Sequence, residues 1–249
     1  MNMIEINNLS HRFPDGSMGI ENINLTISQG DFVVIAGRNG SGKTTLLRHL
    51  NGLLRPHSGT VKIAGLPVAG NLKRVRQIVG MVFQDADSQI VGETVYDDAA
   101  FGPENLCLDP SLIRSRTLKA LGAVGLAGLA DQRPHLLSGG EKRRLAIAGI
   151  LAMNSKVLVF DEPFSNLDYP GVRQVLREIV TLHRNGHTIV LSTHDLEKVI
   201  VHADRLIIMQ KGKIVKDGVP EKTIPEVEDF GIRLPCAFRA DRGCSSWLN

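Results

Sequence analysis

The sequence predicts an α/β fold: a mixed, mainly parallel sheet with flanking helices, a small N-terminal antiparallel β subdomain and an inserted helical subdomain. Three observations predict it. Apolar and polar residues alternate around Ile4 and Ile6, around Ile23, Leu25 and Ile27, and around Val61 and Ile63 ahead of Gly65, as in half-buried antiparallel strands. By contrast, Phe32 to Ala36, Val157 to Phe160, Thr188 to Ser192 and the shorter Val79 to Phe83 are continuous apolar runs, the habit of strands covered on both faces in a parallel sheet. Finally, Asp109 to Ala130 is Leu- and Ala-rich with no strand pattern, which suggests a helical insertion between Phe83 and Val157.

The remaining elements follow in order. Val172 to His183 has a helical pattern ending before Gly186. Leu206 to Met209, Lys211-Gly212 and Ile214-Val215 read as a hairpin. Beyond Pro220 the pattern weakens: Pro225 and Pro235 interrupt the chain, and Ala240 to Asn249 shows no period. The expected organisation is one unit over 1–220, with its helical insertion at about 88–155, and a short extension over 221–249.

With 249 residues and 43% hydrophobic content, the chain can bury one sizeable core. A net charge of +3 is too weak to argue for nucleic acid or a membrane surface as a partner. Cys107, Cys236 and Cys244 form no CxxC pair and are expected to be free thiols. No apolar run reaches the roughly 18–20 residues needed to cross a bilayer. Met1 to Asn8 lacks the basic-then-apolar pattern of a signal peptide.

Gly37-Arg38-Asn39-Gly40-Ser41-Gly42-Lys43-Thr44 fits G-x-x-x-x-G-K-[ST] at every fixed position, between a buried strand and a helix-like run from Thr45. Glycines let backbone N–H groups turn inward around an anion, and the helix N-terminus adds free donors and a positive dipole end. Lys43 can reach β- and γ-phosphates, and the Thr44 hydroxyl suits Mg²⁺.

The strand Val157 to Phe160 runs into Asp161-Glu162, two acids at a sheet edge where ligands sit in α/β folds. The first can hold Mg²⁺, directly or through water, and the second can deprotonate an attacking water. Acids there can also simply open a loop or cap a helix.

Leu137-Ser138-Gly139-Gly140-Glu141 precedes a helical run and contains a Ser138/Glu141 capping box. That is a well-made helix start. With two glycines in the cap and Lys142, Arg143 and Arg144 behind it, it also has the makings of a second phosphate-binding helix terminus.

This ordered set resembles the ATPase subunit of ATP-binding-cassette (ABC) transporters, with a P-loop NTPase core, over about residues 3 to 220. Gly37 to Thr44 is similar to the Walker A motif, Val157 to Glu162 to Walker B, and Leu137 to Glu141 to the signature. Gln84 lies where the Q-loop glutamine falls, Ser165-Asn166-Leu167-Asp168 resembles the D-loop, and His194 resembles the switch histidine.

The resemblance implies a head-to-tail dimer in which each ATP lies between one chain's Walker A and the other's signature. It implies ATP contacts from Phe13, Asn39, Gly40, Ser41, Gly42, Lys43, Thr44 and Thr45, with Phe13 as a base-stacking platform, although Phe13 also suits a core position. It implies Mg²⁺ contacts from Thr44, Gln84 and Asp161. Glu162 would be the general base, assisted by His194, Lys43 and Gln84. Ser138, Gly139, Gly140 and Glu141 would act in trans, and Asp168 would lie in the D-loop. Asn166 departs from the family, which commonly has alanine there.

Two stretches narrow the resemblance. Gln84 to Ile90, running into Ala100-Phe101-Gly102-Pro103-Glu104-Asn105, and Ala146 to Met153 look like the ATPases of energy-coupling-factor importers of the cobalt, nickel and vitamin group. The implied partners are a second ATPase chain (a copy or a sister ATPase), an integral membrane coupling protein and a substrate-binding membrane protein. The implied location is the cytoplasmic face of the cell membrane.

No Lys or Arg lies between Arg76 and Arg114, whereas Asp85, Asp87, Glu93, Asp97, Asp98 and Glu104 do. This is either a solvated acidic face or a receptor for basic helices of the coupling protein. The alternatives are an ATPase of another ABC system or an ABC protein that moves nothing. A single phosphate loop and no heptad run weigh against the latter.

Overall fold

The computed structural model describes residues 1–238 and 246–248. The chain opens with β1 (Asn2–Arg12), β2 (Met18–Ser28), β3 (Phe32–Ala36), α1 (Lys43–Leu50), β4 (Ser58–Ile63), β5 (Leu66–Pro67), α2 (Leu72–Ile78) and β6 (Val79–Val82). Three helices follow, α3 (Val95–Asn105), α4 (Pro110–Ala123) and α5 (Gly139–Ala152). Then come β7 (Val157–Asp161), α6 (Tyr169–Arg184), β8 (Thr188–Thr193), β9 (Arg205–Gln210), β10 (Lys213–Gly218) and α7 (Pro220–Thr223).

The alternating segments form an antiparallel sheet in the order β2-β1-β4-β5, in which Ile4 pairs with both Ile27 and Ile63. Its apolar side is buried and its polar side faces water, as the period of two requires. The continuous apolar runs form a second sheet, β10-β9-β3-β8-β7-β6, parallel from β9 to β6 with antiparallel β10 at one edge. In β3, Phe32, Val34 and Ala36 join the core on one face, while Val33 and Ile35 join the core on the other. Burial on both faces is why this strand shows no alternation.

Helices α3, α4 and α5 pack against one another between β6 and β7. α4 begins where Asp109 caps the Ser111 N–H, with Pro110 in the first turn. α3 lies within the expected helical insertion. Its start is set by a Thr94/Asp97 capping box.

Beyond Pro220, where the sequence pattern weakens, the chain continues in short helical turns. Pro220 opens α7, and Pro225 sits in the first turn of a 3₁₀ helix, Ile224–Phe230, where its missing N–H is not needed. Ile224, Val227 and Ile232 are buried in the core there. Most of Ala240 to Asn249, with Cys244, lies outside the described residues. Cys107 and Cys236 are free thiols. Among the described residues no helix is long and apolar enough to cross a membrane.

Candidate functional site

The loop between β3 and α1 is shaped by glycines that the chain's own backbone requires. Gly42, the N-cap of α1, has φ 103°, and a Cβ there would lie 2.9 Å from the Gly19 carbonyl oxygen. At Gly37 a Cβ would meet the Met209 carbonyl oxygen at 2.4 Å. No side chain caps α1, so its first-turn N–H groups remain available to an anion. Lys43 is buried and folds back over the loop, its Nζ donating to the Gly37 carbonyl at 2.7 Å.

A cleft of about 420 Å³ opens on this loop. It is lined by Asn39, Gly40, Ser41, Gly42, Lys43, Thr44 and Thr45, by Phe13 at one end, and by Gln84 and Glu162 at the other. Met18 and Gly19, which the sequence did not single out, line it as well. Gly19 has a packing reason: a Cβ there would lie 2.8 Å from the Phe13 ring. Phe13 is also held edge-on by His11, with ring centroids 5.0 Å apart.

β7 delivers both acids, and they differ. Asp161 is buried, does not line the cleft, and accepts a 2.6 Å bond from the Ser192 hydroxyl on β8. Its position suits reach through water rather than direct contact. Glu162 does line the cleft. Its backbone is left-handed at φ 47°, a conformation that costs an L-residue about 1–3 kcal/mol and is held only where the surroundings over-determine it. Here Ser192 does so, through its carbonyl and its hydroxyl, each 3.1 Å from the Glu162 N–H. Its Oε2 accepts from His194 Nδ1 at 3.0 Å, and Oε1 lies 3.5 Å from Lys43 Nζ with no hydrogen-bond donor of its own. A carboxylate pinned at one oxygen and free at the other suits taking a proton from a water in the cleft.

Thr44, Gln84 and, one layer back, Asp161 offer hard oxygen donors. Among the described residues no cluster of three His, Cys, Asp or Glu forms a metal cage. That donor set fits Mg²⁺ completed by phosphate oxygens and water, the usual way this ion is held.

Ser138, Gly139, Gly140 and Glu141 do not line this cleft. Ser138 caps α5, and Glu141 Oε2 accepts from both its N–H (2.8 Å) and its hydroxyl (2.7 Å), which holds the Glu141 carboxyl below its usual pKa. The basic residues behind them are engaged within the chain. Lys142 pairs with Asp87, Arg144 donates to the Val124 carbonyl, and buried Arg143 donates to the Phe83 and Gln84 carbonyls. Asp168 caps α6 through the Gly171 N–H, outside the cleft.

The acidic stretch is also partly engaged. Asp97 completes the α3 cap, Asp98 accepts from the Val91 and Gly92 N–H groups, and Asp87 holds Lys142. What the region presents is a second concavity of about 830 Å³, with Leu53, Leu72, Phe83, Val91, Phe101 and Met153 among its walls. Phe101 and Val91 are 50% and 60% exposed, unusual for such side chains without a partner.

Comparison with known proteins agrees with this geometry. A family described as ABC transporter matches residues 20–165. A putative ABC transporter ATP-binding protein of Methanosarcina mazei is 47% identical over 94% of this chain and 86% of its own length. An energy-coupling factor transporter ATP-binding protein, EcfA, of Methanocaldococcus jannaschii is 44% identical with the same coverage. Among solved structures, CbiO1 of Clostridium perfringens, part of the ABC transporter complex CbiONQ, aligns with TM-score 0.82 at 35% identity over 92% of both chains. The ATP-binding cassette MJ0796, in a dimeric post-hydrolysis state bound to ADP and Pi, aligns with TM-score 0.78 at 27% identity over 88% of this chain and 99% of its own. The chain belongs to the ABC transporter family and is an ATPase that works on ATP with Mg²⁺.

Proposed function

We propose that this chain is the ATP-hydrolysing subunit of an energy-coupling-factor importer, bound peripherally at the cytoplasmic face of the cell membrane, whose cargo is a cobalt or nickel ion or a vitamin. The observation that carries the catalytic part is the Lys43–Glu162–His194 constellation at the cleft. In this reading Phe13 stacks on adenine, and the loop from Asn39 to Thr45 cradles the phosphates. Thr44, Gln84 and Asp161 would hold Mg²⁺, which would supply charge neutralisation at the phosphates. Glu162 takes a proton from the attacking water as its oxygen bonds to the γ-phosphorus and the bond from that phosphorus to the β–γ bridging oxygen breaks, leaving ADP and phosphate. His194 keeps the Glu162 carboxylate aimed and meets the γ-phosphate.

The second half of the site comes from another chain, a copy or a sister ATPase. One feature of α5 supports this. A Cβ at Gly139 or Gly140 would meet its own chain only at ordinary contact distances of 3.6 and 3.5 Å, so nothing described within the chain demands glycine there. Close approach of a phosphate from outside does. Relatives named energy-coupling factor transporter ATP-binding proteins support the importer reading. The exposed apolar groove around Phe101 suits an amphipathic helix of the membrane coupling protein. The groove is a better receptor than the acidic stretch, half of which is already engaged.

Co-purification from membranes tests the proposal. The chain should bring down an integral coupling protein and a substrate-binding membrane protein, whose bound ligand identifies the cargo. Phe101→Asp should abolish that capture while ATP binding persists. Recovery of wild type without any membrane protein would favour an ABC protein that moves nothing.

A further inference from the structure

The contacts of buried Arg143 go beyond holding a helix in place. It lies on α5 five residues after Ser138, about 7.5 Å further along the axis. One guanidinium nitrogen donates to the Phe83 carbonyl, and the other donates to the Gln84 carbonyl at 2.7 Å. Both carbonyls follow the end of β6, where no ladder serves them. Next to this fork, Lys142 pairs with Asp87 across the same gap. Gln89 closes the segment on itself, donating to the Met81 carbonyl at 3.0 Å and accepting from the Phe83 N–H at 3.0 Å.

Arg143 is 3% exposed and, among the described residues, pairs directly with no carboxylate. An apolar side chain would be cheaper to bury, so the guanidinium's value lies in the carbonyls it fixes, aided by the nearby charges of Asp85 and Asp161. The far end of the same helix completes the arrangement: Ala146, Gly149, Ile150 and Met153 of α5 form one wall of the apolar groove, while Phe83 and Gln89 belong to another.

We propose that Arg143, assisted by the Lys142–Asp87 pair, is a positioning residue that locks segment 83–89 to the N-terminus of α5. Gln84, facing this chain's nucleotide, and Ser138, facing the other chain's, then move as one body with the groove. Occupancy of the groove is thereby read at both nucleotides of the dimer rather than at one. This rests on the two-chain site proposed above.

The test uses the full chain, with the sister ATPase if one co-purifies, in a Glu162→Gln background that traps the ATP-bound dimer. Dimer dissociation is measured by analytical ultracentrifugation, and nucleotide affinity of the monomer is measured separately with a fluorescent ATP analogue. Arg143→Ala should leave monomer affinity within about twofold while weakening the ATP-driven dimer by about tenfold or more, since a buried charged hydrogen-bond donor is lost. Arg143→Lys should not restore the dimer, because a single ammonium cannot span two carbonyls as a fork does. Lys142→Asp should weaken the dimer about twofold to fivefold, and adding Asp87→Lys should recover it.

An unchanged dimer in Arg143→Ala, or a parallel fall in monomer affinity, overturns the proposal. If Arg143→Ala does not fold, the same readouts on Arg143→Lys and the charge exchange decide. If the parent forms no dimer with ATP, the two-chain reading fails, and this proposal with it.

Discussion

Two helix N-termini in this molecule carry glycines, and they are built on opposite principles. α1 has no side-chain cap, and its glycines are demanded from within, Gly42 by a φ of 103° and Gly37 by the nearby Met209 carbonyl. α5 has a complete capping box, and its glycines, Gly139 and Gly140, have room for a methyl group. The first terminus leaves donors open inside its own cleft. The second satisfies the Ser138 and Glu141 N–H groups locally and keeps Ser138 and Gly139 exposed. The contrast separates glycines that the chain's own backbone and packing demand from glycines that they do not.

The largest expected effect probes the α1 side. Glu162→Gln should lower turnover about a hundredfold or more while ATP binding persists, because a positioned base is lost and the phosphate cradle is not. Normal turnover, measured by phosphate release, would remove Glu162 as the base. Lys43→Ala should raise the Kd for ATP by at least about tenfold through loss of a charge-assisted contact, and isothermal titration checks this.

A pair of glycine variants breaks the comparison most directly. Gly42→Ala should destabilise the fold by about 1–3 kcal/mol, since it forces a methyl group into a left-handed, crowded position. Gly140→Ala should leave Tm unchanged or slightly raised, within about 1 kcal/mol, as alanine favours the helix. It should still reduce turnover of the dimer. Equal loss of stability in both variants would erase the distinction.

The smallest effect is on pH dependence. Burial lowers the pKa of His49 on α1, and likewise those of His187 and His202, below the ordinary 6.5. The unfolded chain therefore takes up protons that the folded chain resists. Stability is fully present above about pH 6.5 and falls as pH drops below it. Thermal melts at neutral and mildly acid pH should show this decline, and replacing His49 with a neutral residue should flatten it. A melt insensitive to pH in that range would contradict burial of the neutral rings.

Much of this was legible in the sequence. The phosphate loop, the acid pair on β7 and the capping box on α5 are local patterns of a few residues, and local backbone rules suffice to place them. Strand types were legible for the same reason, since one buried face or two leaves a different period. Legibility failed where a residue's partner lies far along the chain. Lys142, Arg143 and Arg144 read as an anion-binding cluster, yet each is claimed by a group on another element, at separations of 55, 59 or 60, and 20 residues. The acids after Gln84 read as one patch, yet Asp97 and Asp98 close local caps. Met18 and Gly19 carry no signal at all and reach the cleft only because β2 runs beside the phosphate loop.

The sequence by itself therefore determined the sheet, the nucleotide loop and the place of Glu162 at a strand end, because hydrophobic period and backbone donors act over a few residues. Only the tertiary structure decided that Ser192 holds both acids, that Arg143 ties α5 to the segment carrying Gln84, and that an apolar groove opens beside the exposed acids. Those depend on which carbonyls and charges meet across the core, and no local pattern encodes that meeting.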